Sequence, residues 1–250
     1  MMILYDDGII DEPCVSCEKS YSDDLFFEWY CNEKECIHKE EYKKKETYLD
    51  LREYLYLRPI NEKYVEGTIY KPVCGDICLQ VILFQKVNNT LAGRVIRNTA
   101  FENTDLTEED IYLDAIENVI KRSKTCIFNL ESGLKLFSKD EMKSGIDVNS
   151  VGSIITNEDF TYGAVNLFLP GVAKEIYEKI GVYYVCFTSV HEAAIHALRH
   201  FSNEEMLDGL FETLQEFTTT EGYGHDSDQT LSSYVYIYDP EEDKFEVAKK

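Results

Sequence analysis

The sequence has little positive charge and no long apolar segment. Lysine and arginine together number 25 against 47 aspartates and glutamates, so the formal net charge is −22. A surface this acidic repels phosphate groups and anionic lipids, which disfavours direct binding of nucleic acid or of a membrane. No apolar run approaches the roughly 18 residues of a membrane span, and the opening MMILYDDGIIDEP has neither the basic segment nor the apolar core of a signal peptide. We therefore expect a cytoplasmic protein.

Several motifs that mark enzymes are absent as well. The chain has no phosphate-binding glycine loop and no dinucleotide-binding fingerprint. Ser189 is not surrounded by the G-x-S-x-G pattern of a hydrolase nucleophile. There is no internal repeat and no low-complexity tract. By contrast, a hydrophobic fraction of 44% with 18 tyrosines and 13 phenylalanines is ample for a folded core.

Four of the eight cysteines lie within the first 40 residues. Thiols stay reduced in the cytoplasm, so we interpret these cysteines as metal ligands or small core residues rather than disulfides. Cys14, Cys17, Cys31 and Cys36 follow the pattern C-x2-C-x13-C-x4-C, in which two close pairs present four thiolates to one tetrahedral ion. Because the second gap is wider than usual, His38 is an alternative to one thiolate. The pattern predicts structural zinc, and four unligated cysteines are the alternative.

A zinc site of this kind has a structural role rather than a catalytic one. A segment so short cannot bury a sufficient core, so metal binding supplies its folding energy. Four thiolates also leave no open position for a substrate water. Residues 1–40 carry 11 acidic residues and three lysines, a charge that disfavours a DNA-binding zinc ribbon. We predict a zinc-ribbon-like module over residues 1–45 and an acidic domain over residues 46–250.

The larger part mixes strand and helix patterns without strict alternation. Continuous apolar runs predict strands, and apolar residues repeated every three or four positions predict helices. TYLDLREYLYLRP is read as a helix or connector that ends at Pro59, and SYVYIYDPEEDKFEVA as a hairpin. The other predicted strands are 78–87, 152–156, 163–169 and 183–190, and the predicted helices are 107–123, 170–181 and 202–217. This mixture favours an α+β fold, a mixed or antiparallel sheet packed with helices.

Residues from about 65 to 250 resemble a domain-of-unknown-function family common in Gram-positive gut anaerobes and their mobile elements. The resemblance rests on DAIENV, TNEDFTYGAVNLFLPGVAKEIYEKIG, YYVCFTSVHEAAI and LSSYVYIYDPEEDKFEV. The family pattern is a Tyr-Gly-Ala strand, a helix, a strand ending in Ser-Ser-Ile-His-Glu, and a terminal hairpin. In the third element, Thr188 stands where the family has its first serine, and Val190 stands where it has isoleucine. The resemblance implies a fold and a mobile-element setting but no reaction.

The stretch HEAAIH, His191 to His196, raises the question of a zinc hydrolase. A zincin places two histidines at i and i+4 on one helical turn, with a glutamate base after the first. Here the spacing is five, which leaves the rings about 140° apart on a helix. His196 and His200 have the correct spacing, but Ala197 stands where the glutamate belongs. The zincin interpretation therefore fails.

A weaker alternative is an irregular metal or acid–base site built on His191 and Glu192, with His196 and His200 nearby. The competing interpretation is a histidine that hydrogen-bonds backbone at a turn after a strand, with His196 and His200 on solvent. We expect the second.

Three further groups of residues carry little signal. Cys186 lies within an apolar run and is expected in the core. Cys74 and Cys78 are four apart without a matching pair. The loop TEGYGHDSD offers Asp226 and Asp228 to a hard cation, but it lacks the regularly spaced oxygen ligands of a calcium-binding loop.

Charge and the absent catalytic motifs together favour a non-enzymatic protein that binds another macromolecule. The last 50 residues hold 13 acidic residues and three lysines, which suits a protein partner with a basic surface. A sharper hypothesis is a mobile-element-encoded regulator or inhibitor of nucleic-acid-handling machinery, such as a defence system. The alternative class is a metal-dependent hydrolase that uses His191 and Glu192.

Overall fold

A computed structural model of the 250-residue chain describes residues 20–23, 28–31, 51–87, 90–101, 106–130, 146, 150, 152–200, 203–219 and 230–250. Of the predicted zinc ligands, only Cys31 lies within these residues, and only its backbone is described. Cys14, Cys17, Cys36 and His38 lie outside them, as do Asp226, Asp228 and the predicted boundary near residue 45. The zinc site and that boundary remain predictions.

The first described element is a short antiparallel hairpin. Strand β1, Ser20–Asp23, pairs with strand β2, Glu28–Cys31, and Ser20 stands opposite Cys31. This hairpin begins between the two predicted cysteine pairs and ends at Cys31, the first residue of the second pair.

A four-stranded antiparallel sheet follows. Its strands are β3, Leu55–Asn61; β4, Tyr70–Cys74; β5, Ile77–Val87; and β6, Thr90–Val95. The order is β3-β5-β4, and β6 pairs with β5. The strand predicted at 78–87 is confirmed. In the described part of the segment predicted as a helix or connector, Leu51 and Arg52–Tyr54 are helical. The predicted end at Pro59 is wrong, because β3 begins at Leu55 and continues through the proline.

A second antiparallel sheet has six strands in the order β12-β11-β9-β10-β8-β7. Its members are β7, Thr125–Asn129; β8, Gly152–Asn157; β9, Tyr183–Cys186; β10, Ala193–Ala197; β11, Val235–Asp239; and β12, Lys244–Lys249. Strands β11 and β12 form the predicted terminal hairpin, with the turn between Asp239 and Lys244. Together with the helices, these sheets confirm the α+β class with antiparallel pairing.

The three α-helices of the described residues lie close to their predicted positions. They are α1, Glu108–Arg122; α2, Val172–Ile180; and α3, Asn203–Thr219. A reciprocal capping box begins α1: Thr107 N donates to Asp110 Oδ2 at 2.9 Å, and Asp110 N donates to Thr107 Oγ1 at 3.2 Å. Such a box satisfies amide groups that have no partner inside the helix. No helix in the described part of the chain is long and apolar enough to cross a membrane.

One predicted strand is wrong. Residues 163–169, expected to be extended, instead contain a 3-10 helix over Gly163–Phe168. Five of its six residues are buried. A short run that is buried on all sides shows neither a strand nor a helix period, so periodicity alone cannot assign it.

Contacts divide the described residues into two compact units. One is drawn from Met1–Leu57, Gly67–Ile69 and Val81–Val119, and the other from Arg58–Glu66, Tyr70–Gln80 and Ile120–Lys250. In the first unit, Tyr56 and Phe84 pack with ring centroids 4.9 Å apart. In the second, Phe187 packs edge-on against Tyr236 and Phe245. Apolar side chains of α3, including Met206 and Leu214, cover Tyr184 and Val235 of the six-stranded sheet.

Candidate functional site

A strained turn follows β8 and leads into the 3-10 helix. Phe160 and Tyr162 have φ of +52° and +55°, a left-handed conformation that costs a non-glycine residue about 1–2 kcal/mol. The side chain of Asn157 holds the turn closed, since Oδ1 accepts from the amide of Thr161 at 3.0 Å and Nδ2 donates to its carbonyl at 2.7 Å. Strain of this kind persists only where surrounding contacts fix it, and it is common at functional sites.

This turn holds the ring of His191. The backbone amide of Tyr162 donates to Nδ1 of His191 at 3.1 Å, and the two rings stack with centroids 5.8 Å apart. The Oγ1 of Thr156 donates to the carbonyl of His191 at 2.7 Å. Because Nδ1 accepts a hydrogen bond, the neutral imidazole carries its proton on Nε2. His191 is therefore a histidine that hydrogen-bonds backbone at a turn, in the connection between β9 and β10.

Gly163 allows the turn to approach His191 closely. A Cβ at this position would lie 2.2 Å from Oγ1 of Thr156, 2.5 Å from the amide nitrogen of Asn157 and 2.6 Å from the carbonyl oxygen of His191. Two of these neighbours are backbone atoms, so no rotamer change relieves the clash. Only glycine fits here.

Glu192 is half-buried beside His191, and burial raises the pKa of its carboxyl group. No hydrogen bond among the described residues involves this carboxylate. A carboxyl group with a raised pKa next to a histidine of fixed tautomer can serve in acid–base chemistry.

The other histidines do not complete a zincin site. His196 belongs to β10, so HEAAIH contains a strand rather than a helical turn. The expectation that His196 lies on solvent is wrong: the residue is 9% exposed, stands opposite Gly152, and has its pKa lowered by burial to about 4. The side chain of His200 is outside the described part. Among the described residues, no group of three or more His, Cys, Asp or Glu is placed to hold a metal ion.

Sequence reasoning missed a polar cluster around Asp76. Its Oδ1 accepts hydrogen bonds from Ser232 Oγ and from the Tyr236 hydroxyl, both at 2.6 Å. Its Oδ2 accepts from Asn61 Nδ2 at 2.9 Å, and the same amide group donates to the carbonyl of Leu231. The carboxylate thus links the end of β3, the β4–β5 turn and the segment before β11. Asp76 lies 15 positions from Asn61 and 160 positions from Tyr236, so no local sequence motif predicts the cluster.

The surroundings of Asp76 favour a structural role. Ser232 is 2% exposed and donates its proton to the carboxylate, so no incoming substrate reaches its oxygen. Burial and the bond to Asp76 raise the pKa of Tyr236 far above its ordinary value, and burial raises the pKa of the neighbouring Cys74 thiol. Neither group ionises near neutral pH. Cys186 is buried as predicted, and burial raises its thiol pKa to about 12.

The outer face of α3 is the most acidic surface of a described helix. Five acidic residues and no lysine or arginine occur in its 17 residues. Glu204, Asp208, Glu212 and Glu216 repeat at every fourth position, so that their exposed side chains form one row along the helix. Lys249 makes an ion pair with Asp208 near the middle of the row. We call these four residues the acidic row.

Comparison with known proteins identifies a family but no function. No curated protein and no solved structure matches the chain. The model of a family of unknown function, DUF5688, matches residues 32–240, which is most of the 250 residues. The chain therefore belongs to the family DUF5688.

Proposed function

We propose that this protein is a non-enzymatic binding protein that uses the acidic row of α3 to dock on a macromolecule with a basic surface. The repetition of acid along one solvent face, on a helix without a basic residue, is the observation that supports this proposal most directly. The net charge of −22 favours the same kind of partner.

The acidic row is electrostatically costly for the isolated helix. It contains three like-charged pairs at i and i+4, each of which destabilises a helix by about 0.2–0.5 kcal/mol. Glu216 lies in the last turn of α3, where the helix dipole disfavours negative charge. A basic partner would relieve this repulsion, whereas solubility alone does not require the charges to share one face.

In its sharper form, the partner is nucleic-acid-handling machinery, for example a defence system countered by a mobile element. Successive carboxylates of the acidic row lie about 6 Å apart along the axis, because an α-helix rises 1.5 Å per residue. Such a line of negative charge can enter a groove that otherwise receives a phosphate backbone. We further propose a cytoplasmic location and structural zinc bound by Cys14, Cys17, Cys31 and Cys36, with His38 as a substitute ligand.

Affinity capture with two matched variants tests the proposal. The triple variant Glu204→Gln/Glu212→Gln/Glu216→Gln leaves the Asp208–Lys249 ion pair in place. The control Glu66→Gln/Glu178→Gln/Glu242→Gln removes the same charge from exposed positions elsewhere. A protein captured by the wild type and the control but lost with the α3 variant supports docking at α3. Equal loss in both variants, or in neither, contradicts it. Release of that protein by short duplex DNA tests the sharper form.

The fixed geometry of His191 favours a second candidate, a metal-dependent hydrolase that uses His191 and Glu192. The variant His191→Asn separates catalysis from structure, because the asparagine oxygen can accept the Tyr162 amide in place of Nδ1. Hydrolysis of chromogenic esters or phosphoesters that is lost in His191→Asn and Glu192→Gln, but not in the exposed control Glu158→Gln, would establish this candidate. Activity that survives both substitutions would exclude it.

A further inference from the structure

Strand β7 differs from the other strands at the edges of the described sheets. An edge strand presents unpaired backbone groups, and charged residues or proline commonly block the addition of another strand there. The edge strands β1, β2, β3, β4, β6 and β12 each contain at least one charged residue. Strand β7, with the sequence TCIFN, is an edge of the six-stranded sheet and contains neither a charged residue nor a proline. Its sequence therefore has nothing of the kind that blocks an added strand.

A cavity of about 260 Å³ lies beside this edge, between β7 and helix α2. Its aliphatic lining comes from Ile127, Ile146, Val172 and Ile176. Thr125 lines it too, and because alternate residues of a strand share a face, Thr125 and Ile127 mark the side of β7 that faces α2. The two charged lining residues, Glu175 and Lys179, form an ion pair with each other. The lining therefore suits an uncharged aliphatic side chain.

The cavity and the acidic row lie on opposite faces of the six-stranded sheet. The hydroxyl of Tyr183 donates to the carbonyl of Ala173 in α2 at 3.0 Å, whereas Tyr184 packs against Met206 of α3. Successive residues of a strand point to opposite faces, so α2 and α3 cover different sides of the sheet. A ligand between β7 and α2 thus leaves the acidic row accessible.

The chain is locally basic where it enters β7. Residues 120–130 contain three basic residues and no acidic one, although the net charge of the whole chain is −22. The residue immediately before β7 is Lys124, which is exposed. Opposite charges favour encounter and fix the register of a complex, so this end of the edge suits a partner with acidic residues.

We propose that the edge of β7 binds an extended peptide in which an aliphatic residue is followed by acidic residues. Every pairing in the six-stranded sheet is antiparallel, and the peptide continues that pattern as an added strand about 4.8 Å from β7. Main-chain hydrogen bonds supply affinity, and the aliphatic side chain opposite Ile127 enters the cavity and supplies specificity. In antiparallel pairing the third residue after it stands opposite Lys124, where a carboxylate forms an ion pair.

Fluorescence polarisation with the full chain and the labelled peptide Thr-Ile-Thr-Val-Glu-Glu tests the proposal. The wild type should bind, and Ile127→Glu or Val172→Asp should weaken binding at least about tenfold, because each places a charge in the cavity. Val172 is the first residue of α2, where an acidic side chain favours the helix. Circular dichroism checks that each variant is folded. The control Leu113→Asp, at an exposed aliphatic residue of α1, should bind as the wild type does. A wild type that does not bind, or variants that all bind equally, overturn the proposal.

Changes to the peptide backbone test strand addition itself. Methylation of every second amide nitrogen removes half of the main-chain donors, and one of the two alternate sets should abolish binding while the side chains are retained. Affinity that survives both sets would show that only side chains are bound, which overturns strand addition. Sedimentation velocity of the chain without peptide tests the competing occupant. Self-association that Ile127→Glu abolishes would place a second copy at this edge and overturn the proposal.

A charge exchange tests the antiparallel register. Replacement of both peptide glutamates by lysine should weaken binding to the wild type about tenfold. Lys124→Glu should weaken binding of the original peptide by a similar factor and should restore binding of the lysine peptide. A lysine peptide that binds both proteins equally would contradict the ion pair with Lys124 and the register that it defines.

Discussion

The backbone amide of Tyr162 donates a hydrogen bond to Nδ1 of His191, and this bond joins a strained turn to the connection between two strands of the six-stranded sheet. Tyr162 is in a left-handed conformation, which the histidine helps to maintain by accepting its amide. The ring of His191 is thus a fixed hydrogen-bond acceptor for the backbone of this turn. Whatever else His191 does, it acts from a fixed position and with a fixed tautomer.

Gly163→Ala should destabilise the protein strongly, by about 3 kcal/mol or more, because the added Cβ meets backbone atoms that cannot move aside. Urea denaturation measures the free energy of unfolding. Gly209→Ala is the matched control: apart from its chain neighbours and the backbone of its own helix, no heavy atom lies within 4 Å of an added Cβ, and the residue sits inside α3. That change should stabilise the protein by about 0.5–1 kcal/mol. If Gly163→Ala were as stable as the wild type, Gly163 could not lie as close to the backbone of Asn157 and His191 as the structure places it.

Asp76→Ala should cost about 3 kcal/mol of unfolding free energy, because it leaves the buried groups of Ser232, Tyr236 and Asn61 without their shared acceptor. Tyr236→Phe removes a single donor with its ring retained and should cost about 1 kcal/mol. The effects of the two changes should not add, since both act on the same cluster. Additive effects in the double variant would argue against a connected network.

His196 should make the protein less stable in mild acid. Its pKa is lowered to about 4 in the folded state from an ordinary value of 6.5, so the unfolded chain takes up a proton first as the pH falls. The stability contribution is complete above pH 6.5 and is lost between pH 6.5 and pH 4. The full loss is about 3 kcal/mol.

Urea midpoints for the wild type and His196→Gln across this interval measure the effect. The variant should lose less stability than the wild type as the pH falls. Glu192, whose pKa burial raises, acts in the opposite direction and is present in both proteins. Identical pH dependence of the two proteins would contradict the burial of His196.

Metal analysis of the purified chain tests the predicted zinc module. We expect about one zinc per chain, lost in the double variant Cys14→Ser/Cys17→Ser. Cys186→Ser, at a buried thiol of the six-stranded sheet, should retain the metal. Zinc that remains bound in the double variant would contradict binding by these cysteines and favour a site at His191 and Glu192. Metal analysis of His191→Asn would then test that site.

The sequence predicted those elements whose signals are local. The apolar residues repeated every three or four positions located α1, and the polar DPEEDK between two apolar runs located the β11–β12 hairpin. Both signals lie within a few residues of the element that they specify. The continuous apolar run of β5 located that strand for the same reason.

The failures concern residues whose state depends on distant partners. GAVNLF is apolar enough for a strand, but the left-handed Tyr162 and its bond to His191, 29 positions away, accompany a 3-10 helix instead. His196 looked like a solvent-exposed residue because polar side chains usually are. Its burial follows from the strand pairing that places it opposite Gly152. Asp76 bonds to a residue 160 positions away, which no spacing rule can anticipate.

The salt dependence of complex formation tests the central claim most directly. Once the α3-dependent partner is purified, its dissociation constant is measured between about 50 mM and 500 mM salt, a range over which screening becomes severe. Docking through the acidic row predicts at least a tenfold loss of affinity, and a much smaller salt dependence for Glu204→Gln/Glu212→Gln/Glu216→Gln. An affinity that is indifferent to salt and to these three substitutions would show that the charge of α3 does not form the interface.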